Sequence, residues 1–309
     1  MTKVVQEGLA KLIIDETADT ASFYNPIQEF NRDMTVTVLR QYVADRENEV
    51  NMEGKDEDGP PPEKKSRINR RSKTLKNEPL RILDALSASG LRALRFAQEV
   101  DNIENVIAND FSESSVNNIK RNIEANGLND KITANFDDAK NLMMQHREPS
   151  KQFHVVDLDP YGTAAPFLDS AVQSVVDGGL LMVTCTDMAV LCGNTPEACY
   201  LKYGATGLKH RSCHEIALRI LIRCIDNKAN VYGRYIEPLL SMSVDFYVRV
   251  FVRVYSSPVH AKISAMRVSH VLACSGCHAV DLQPIIRKTS VGNSTKYTTA
   301  ILRSQLLTT

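Results

Sequence analysis

The segment Val155-Val156-Asp157-Leu158-Asp159-Pro160-Tyr161-Gly162 closes an apolar run with an acid, a proline and an aromatic ring in direct succession. Those residue types suit alkylation of a planar amine. An exocyclic amino nitrogen delocalises its lone pair into the ring, and it becomes nucleophilic when an acceptor on its N–H draws it toward pyramidal geometry. Asp159 can be that acceptor, and it need not be a strong base, because the N–H turns acidic once the cationic amine forms. Pro160 holds φ near about −65° and so sets the chain that follows. Tyr161 offers a ring face against which a base can stack. Positioning and electrostatics supply most of the rate enhancement at such a site. An Asp-Pro pair also starts ordinary turns, so the segment gains meaning only from its neighbours.

Three neighbours matter. Leu83-Asp84-Ala85-Leu86-Ser87-Ala88-Ser89-Gly90-Leu91-Arg92 leads from a strand-like run into a helical one. Small residues there let backbone approach a ligand, and a helix start offers free N–H groups. Tight packing uses the same residues, and with Gly90 alone the dinucleotide fingerprint is absent. Asp110 follows Gly90 by 20 residues and suits two ribose hydroxyls, or equally the N-cap of a helix beginning near Ser112. At Asp137-Asp138-Ala139 a carboxylate can receive an adenine amino group and a small residue can admit its ring. With Asp159, these turns outline methyl transfer from an adenosine-bearing cofactor, S-adenosylmethionine.

Such residues need a sheet to hold them. Strand-like runs at 80–86, 106–109, 132–136, 155–158 and 180–184 alternate with helical stretches at 90–99, 112–126, 139–146 and 164–177. That order predicts an α/β fold, a doubly wound Rossmann-like parallel sheet with helices on both faces. A further amphipathic helix is expected over 206–227. The strict alternation of Tyr247–Tyr255 predicts another strand, with valines on one face and Tyr247, Arg249, Phe251, Arg253 and Tyr255 on the other. That second face suits either nucleic-acid contact or packing under a helix with snorkelling arginines. The expected organisation is an N-terminal segment (1–44), a disordered charged insertion (45–78), a methyltransferase core (79–235) and a smaller, truncated β-rich, RNA-contacting region (236–309). Within the insertion, the basic piece Lys64–Arg71 suits a nuclear import signal or a phosphate-binding loop, with a plain solvated linker the simpler reading.

The 309 residues carry 37 basic and 37 acidic side chains, so neutrality alone would argue against a polyanionic partner. From Tyr247 onward, however, eight Lys/Arg face one acid, Asp281, which permits phosphate contact. No apolar run reaches the roughly 18–20 residues of a bilayer span, and the start lacks a secretory pattern. Seven cysteines without regular pairing suit a reducing compartment. The expectation is an intracellular protein of nucleus, mitochondrion or cytosol, with no obligate protein partner.

The chain resembles the tRNA guanine-26 dimethyltransferase family. The resemblance rests on Glu7-Gly8, Phe23–Asp33, Asp84–Arg92, Asp157–Gly162, Thr184–Asp187, Tyr203-Gly204 and His214–Arg219. It implies tRNA as partner and the 2-amino group of guanine 26 as acceptor of one or two methyl groups. It further implies Asp159 as the catalytic aspartate, with Tyr161 where an aromatic normally sits. Arg32, Arg81, Asp110, Asp138 and Ala139 fall at the family's cofactor positions. The family also carries two cysteine pairs suited to zinc. Here Cys274 and Cys277 form the first, the second is missing, and a tetrahedral site needs four ligands; His270 and His278 are possible substitutes. Much of the family's RNA-binding C-terminal part is expected to be absent. Two rival readings stand beside this one: an amine methyltransferase acting on adenine in DNA or on a protein amide, and a tRNA-binding or folding factor without activity. The remaining cysteines, 185, 192, 199, 213 and 224, read as buried small hydrophobes, and His214-Glu215 as a helix face.

Overall fold

In the computed structural model, which describes residues 2–15, 24–53, 78–291 and 294–300, the predicted strands assemble into one sheet. The chain opens with an antiparallel hairpin, β1 (Thr2–Glu7) and β2 (Ala10–Asp15), and the long helix α1 (Glu29–Glu53). Then β3 (Leu80–Asp84), α2 (Leu91–Glu99), β4 (Ile103–Asp110), α3 (Glu113–Ala125), β5 (Ile132–Phe136), α4 (Ala139–Gln145), β6 (Phe153–Leu158), α5 (Leu168–Ser174) and β7 (Val175–Cys185) alternate. Helices α6 (Met188–Leu191), α7 (Pro196–Tyr203) and α8 (Cys213–Val231) precede the hairpin β8 (Arg234–Val244) and β9 (Tyr247–Ser256). The sheet order is β5-β4-β3-β6-β7-β9-β8, with β3 to β7 parallel and β9 antiparallel to both neighbours. Chain order reverses between β3 and β6, and ligands of such sheets bind beyond the carboxyl ends of the strands at that point.

Each face of the sheet has its own core. On one, Leu83, Val156, Leu158, Leu181 and the four valines of β9 pack against Leu142, Ala171, Leu221 and Ile225. On the other, Ile82, Val106, Val155, Met182 and Phe251 meet Leu12, Leu39, Tyr42, Leu94 and Ile119. The near-continuous burial of β6 and β7 is what a parallel sheet covered on both sides requires.

Two expectations change. Residues Asp45–Glu53, expected in a disordered insertion, continue α1, because Arg46 is buried against the fold and Glu49 pairs with Arg253. The rest of that segment, including Lys64–Arg71, lies outside the described residues. Further on, β8 and β9 complete the sheet, so the core extends to Ser256. The β-rich part beyond is smaller: α9 (Pro258–Ile263) and the hairpins β10 (Ser269–Ala273) with β11 (Val280–Pro284) and β12 (Ile286–Val291) with β13 (Ser294–Thr299).

The Tyr/Arg face of β9 packs under α1, as the second of the two readings expected, but its arginines are buried and paired instead of snorkelling to solvent. Arg249 is fully buried, donating to Asp157 Oδ1 at 2.9 Å and to Thr35 Oγ1 at 2.9 Å. Arg253 donates to the Gly178 carbonyl at 3.0 Å and lies 5.5 Å from the Tyr42 ring. Arg249→Met would strip the buried Asp157 of its nearest counter-charge, leaving Arg92 at 3.6 Å, and should destabilise the fold by about 3–5 kcal/mol. Arg253→Met should cost distinctly less, since its partner Glu49 reaches solvent; urea unfolding of both variants checks the order.

Candidate active site

The turn after β3 is shaped for close approach. Ala88 and Gly90 take positive φ, 49° and 82°; a Cβ on Gly90 would meet Ile119 of α3 at an ordinary 3.4 Å, so the backbone angle and not crowding calls for glycine there. Ser87 N–H donates to the Asn109 carbonyl at 2.8 Å, and Asn109 in turn donates to the carbonyls of Ala85 and Asp137. Asn109 thus ties three strand ends together, a role nothing in its neighbours signalled. Asp110 is buried, its two oxygens accepting the Ala88 and Ser112 N–H groups at 2.9 Å each. Ser112, and not Asp110, caps α3. Asp138 caps α4 by accepting Lys140 N–H at 2.7 Å, with Ala139 buried behind it.

At the end of β6, Asp159 pairs with Arg92 of α2. Arg92 reaches it by running past Thr35, to whose hydroxyl it donates at 3.1 Å, and past Asp157 Oδ2 at 3.6 Å. Burial alone would raise the Asp159 carboxyl, but the Arg92 and Arg249 guanidinium groups outweigh it and hold it below the ordinary carboxylate range. The Asp-Pro-Tyr-Gly turn is fixed from behind. Gly162, at φ 77°, exchanges two 2.8 Å hydrogen bonds with Thr186. Thr163 donates to the Tyr203 hydroxyl, which donates to Asp187, both at 2.7 Å. Tyr161 stands 77% exposed. Burial first, then the charges of Asp159 and Asp110, raise its phenol.

Asp110, Asp138, Ala139, Asp159 and Tyr161 therefore share the carboxyl edge. Arg32 joins them from α1, one turn before Thr35. Its guanidinium holds Glu7 through two hydrogen bonds of 2.6 and 2.5 Å and donates to the Asn25 carbonyl, leaving Nη1 without a hydrogen bond among the described residues. Arg81 is not brought to this edge. It sits at the amino end of β3, donates to the Gln152 carbonyl at 3.0 and 3.2 Å, and lines a shallow recess with His146 and Phe153. Ile82 and Leu83 lie between it and Asp84, three residue steps or about 10 Å of extended chain.

The donor set fits an adenosine. Each Asp110 oxygen accepts one N–H and keeps capacity for a hydroxyl. Phe111 and Phe136, 73% and 60% exposed, present ring faces beside Asp110 and Asp137. Zinc at Cys274 and Cys277 fits less well. Both thiols are exposed in the β10–β11 turn, and backbone N–H groups of Cys277 and Gly276 lower the Cys274 thiol. No third ligand gathers with them among the described residues, so the pair alone does not make a tetrahedral site.

Fold and edge together define the class, a Rossmann-like sheet of the S-adenosylmethionine methyltransferase type. The family model of N2,N2-dimethylguanosine tRNA methyltransferase matches residues 3–305, and the chain belongs to that family. The tRNA (guanine(26)-N(2))-dimethyltransferase of Caenorhabditis elegans is 54% identical over 306 residues, covering 98% of this chain and 56% of that protein. The mouse protein of the same name is 45% identical over 307 residues, covering 90% and 45%. The chain thus spans about half the length of the curated relatives it matches. Trm1 from Pyrococcus horikoshii, solved in complex with S-adenosyl-L-methionine, matches with a TM-score of 0.75 at 32% identity, over 91% of this chain and 69% of that one.

Asp84 faces Asp157 across the β3–β6 pairing. Burial and then the Asp157 charge push its carboxyl from 3.8 up to about 7. The folded state therefore keeps a proton that the unfolded chain has released. That contribution to stability is complete below about pH 4 and is lost as the pH rises through about 7. Asp84→Asn should flatten the fall of the melting temperature over this window and melt higher than the wild type at alkaline pH, as read by calorimetry.

Proposed function

We propose that this chain binds S-adenosylmethionine at the carboxyl edge and methylates the exocyclic 2-amino group of guanine 26 in tRNA, once or twice. The observation that carries the reading is an ionised Asp159, locked by Arg92 beside an exposed Tyr161, at the point where the sheet reverses. When bound, the cofactor supplies a methyl group on a sulfonium centre. Asp110 would accept its ribose hydroxyls, Asp138 and Ala139 would meet the adenine, and Arg32 would offer Nη1 to the carboxylate. Asp159 would accept an N–H of the guanine amine, and Tyr161 would support the base. No described helix is long and apolar enough to cross a membrane, and we place the work inside the cell, where tRNA is.

Incubating the chain with labelled cofactor and separate pools of unmodified tRNA, DNA and protein tests this. Nucleoside mass spectrometry should show mono- and dimethylated guanosine from position 26 of tRNA. Label in DNA or protein alone would favour the other amine methyltransferases, and tRNA binding without transfer would favour a silent binding factor.

Asp159→Ala should lower the transfer rate by about 10²–10³ while leaving cofactor affinity, measured by calorimetry, within a few-fold. Arg92→Gln removes the charge that most lowers the Asp159 carboxyl, so the acid limb of kcat/KM should move to higher pH.

A further inference from the structure

Five cysteines of the core look alike in sequence, yet the structure separates them. Cys185, Cys199 and Cys224 are buried among apolar side chains. Cys192 and Cys213 are half-buried, and with the exposed His214 their ligand atoms all lie within 4.8 Å of one another. Two thiols and an imidazole at that spacing are a soft donor set.

We propose that Cys192, Cys213 and His214 bind a zinc ion, with the fourth coordination position open to water. Zn–S bonds of about 2.3 Å in a tetrahedral site put two sulfurs about 3.8 Å apart, so the cluster needs to close by at most about 1 Å. Binding releases the proton of each thiol to solvent; the two thiolates then balance the charge of Zn²⁺, so a half-buried site holds a neutral complex.

The ligands come preset by two chain segments that glycine lets touch. A Cβ on Gly207 would come within 2.6 Å of Gly193 N and the Leu191 carbonyl, and one on Gly193 (φ 91°) within 2.8 Å of Leu208 and Lys209 backbone. That contact seats the turn after α6 against the approach to α8. Cys192 N–H is fixed to the Met188 carbonyl at 2.8 Å and Cys213 N–H to the His210 carbonyl at 3.0 Å. His214 Nδ1 meets Ser243 Oγ at 2.9 Å, and with a proton on that nitrogen the other keeps its lone pair for a metal, as ligating imidazoles are commonly held. The site is separate from Cys274 and Cys277, and it would fasten α6 to the first turn of α8.

Zinc content and cobalt(II) spectra of the full chain test the proposal. The wild type and Cys274→Ser/Cys277→Ser should each bind cobalt with a thiolate charge-transfer band and tetrahedral ligand-field bands. Cys192→Ser/Cys213→Ser should lose the band and one equivalent of zinc. His214→Gln, an exposed change that leaves the packing alone, should weaken zinc affinity at least tenfold while circular dichroism stays the same. Unaltered zinc affinity in His214→Gln, loss of the band only in Cys274→Ser/Cys277→Ser, or a Cys192–Cys213 disulfide in freshly purified protein would overturn it.

Discussion

Asp157 and Arg249 meet at 2.9 Å with neither side chain reaching water. Each ion costs several kcal/mol to desolvate, and a pair recovers that only with its remaining donors and acceptors well placed. Their neighbours are accordingly constrained. Arg249 also donates to Thr184 of β7 and to Thr35 of α1; Thr35 accepts from Arg92 of α2; and Arg92 ends on Asp159. One buried pair thereby sets the positions of three strands and two helices, and the candidate reactive carboxylate is the outer end of the same chain of contacts.

The arrangement also distributes protons. Three acids, Asp84, Asp157 and Asp159, share the edge with two arginines, so one negative charge is in excess. The arginines lie nearest Asp157 and Asp159. Asp84, which accepts the Ser87 hydroxyl, holds its proton toward neutral pH because of burial first and the Asp157 charge second. Asp159 is thus free to stay ionised, which an acceptor for an amine N–H requires. A second cluster does similar work further out: burial alone would raise the Glu7 carboxyl, yet Arg32 and Arg95 hold it low, and so the N-terminal hairpin is pinned to the start of α1.

Much of this was legible in the residues. Strands announced themselves through apolar runs, and the acids at 110, 138 and 159 did so through their places at strand ends. The Tyr/Arg face of β9 was ambiguous because such a pattern looks the same toward RNA and toward a helix. Only the position of α1 decides it, and α1 is itself obscured by a charged final stretch whose Arg46 and Glu49 find partners in the fold. Arg92 gave no local sign, since its partners Thr35 and Asp159 lie 57 and 67 residues away. Spacing likewise hid Cys192 from Cys213 and His214, while the family resemblance suggested for Arg81 a cofactor contact that the amino end of β3 does not offer.

The segment between β7 and α8 links these observations mechanically. Thr186 at its start holds Gly162, and Asp187 holds Tyr203 and Lys202, so the Asp-Pro-Tyr-Gly turn rests on this segment as much as on the sheet. Its far end is seated by the Gly193–Gly207 contact and by the approach of Cys192 to Cys213 and His214. His210, just before α8, meets the carbonyl of His278 in the turn that carries Cys274 and Cys277. A restraint at the cysteines therefore acts on both sides: inward on the turn that carries Tyr161, and outward on the small β-rich part.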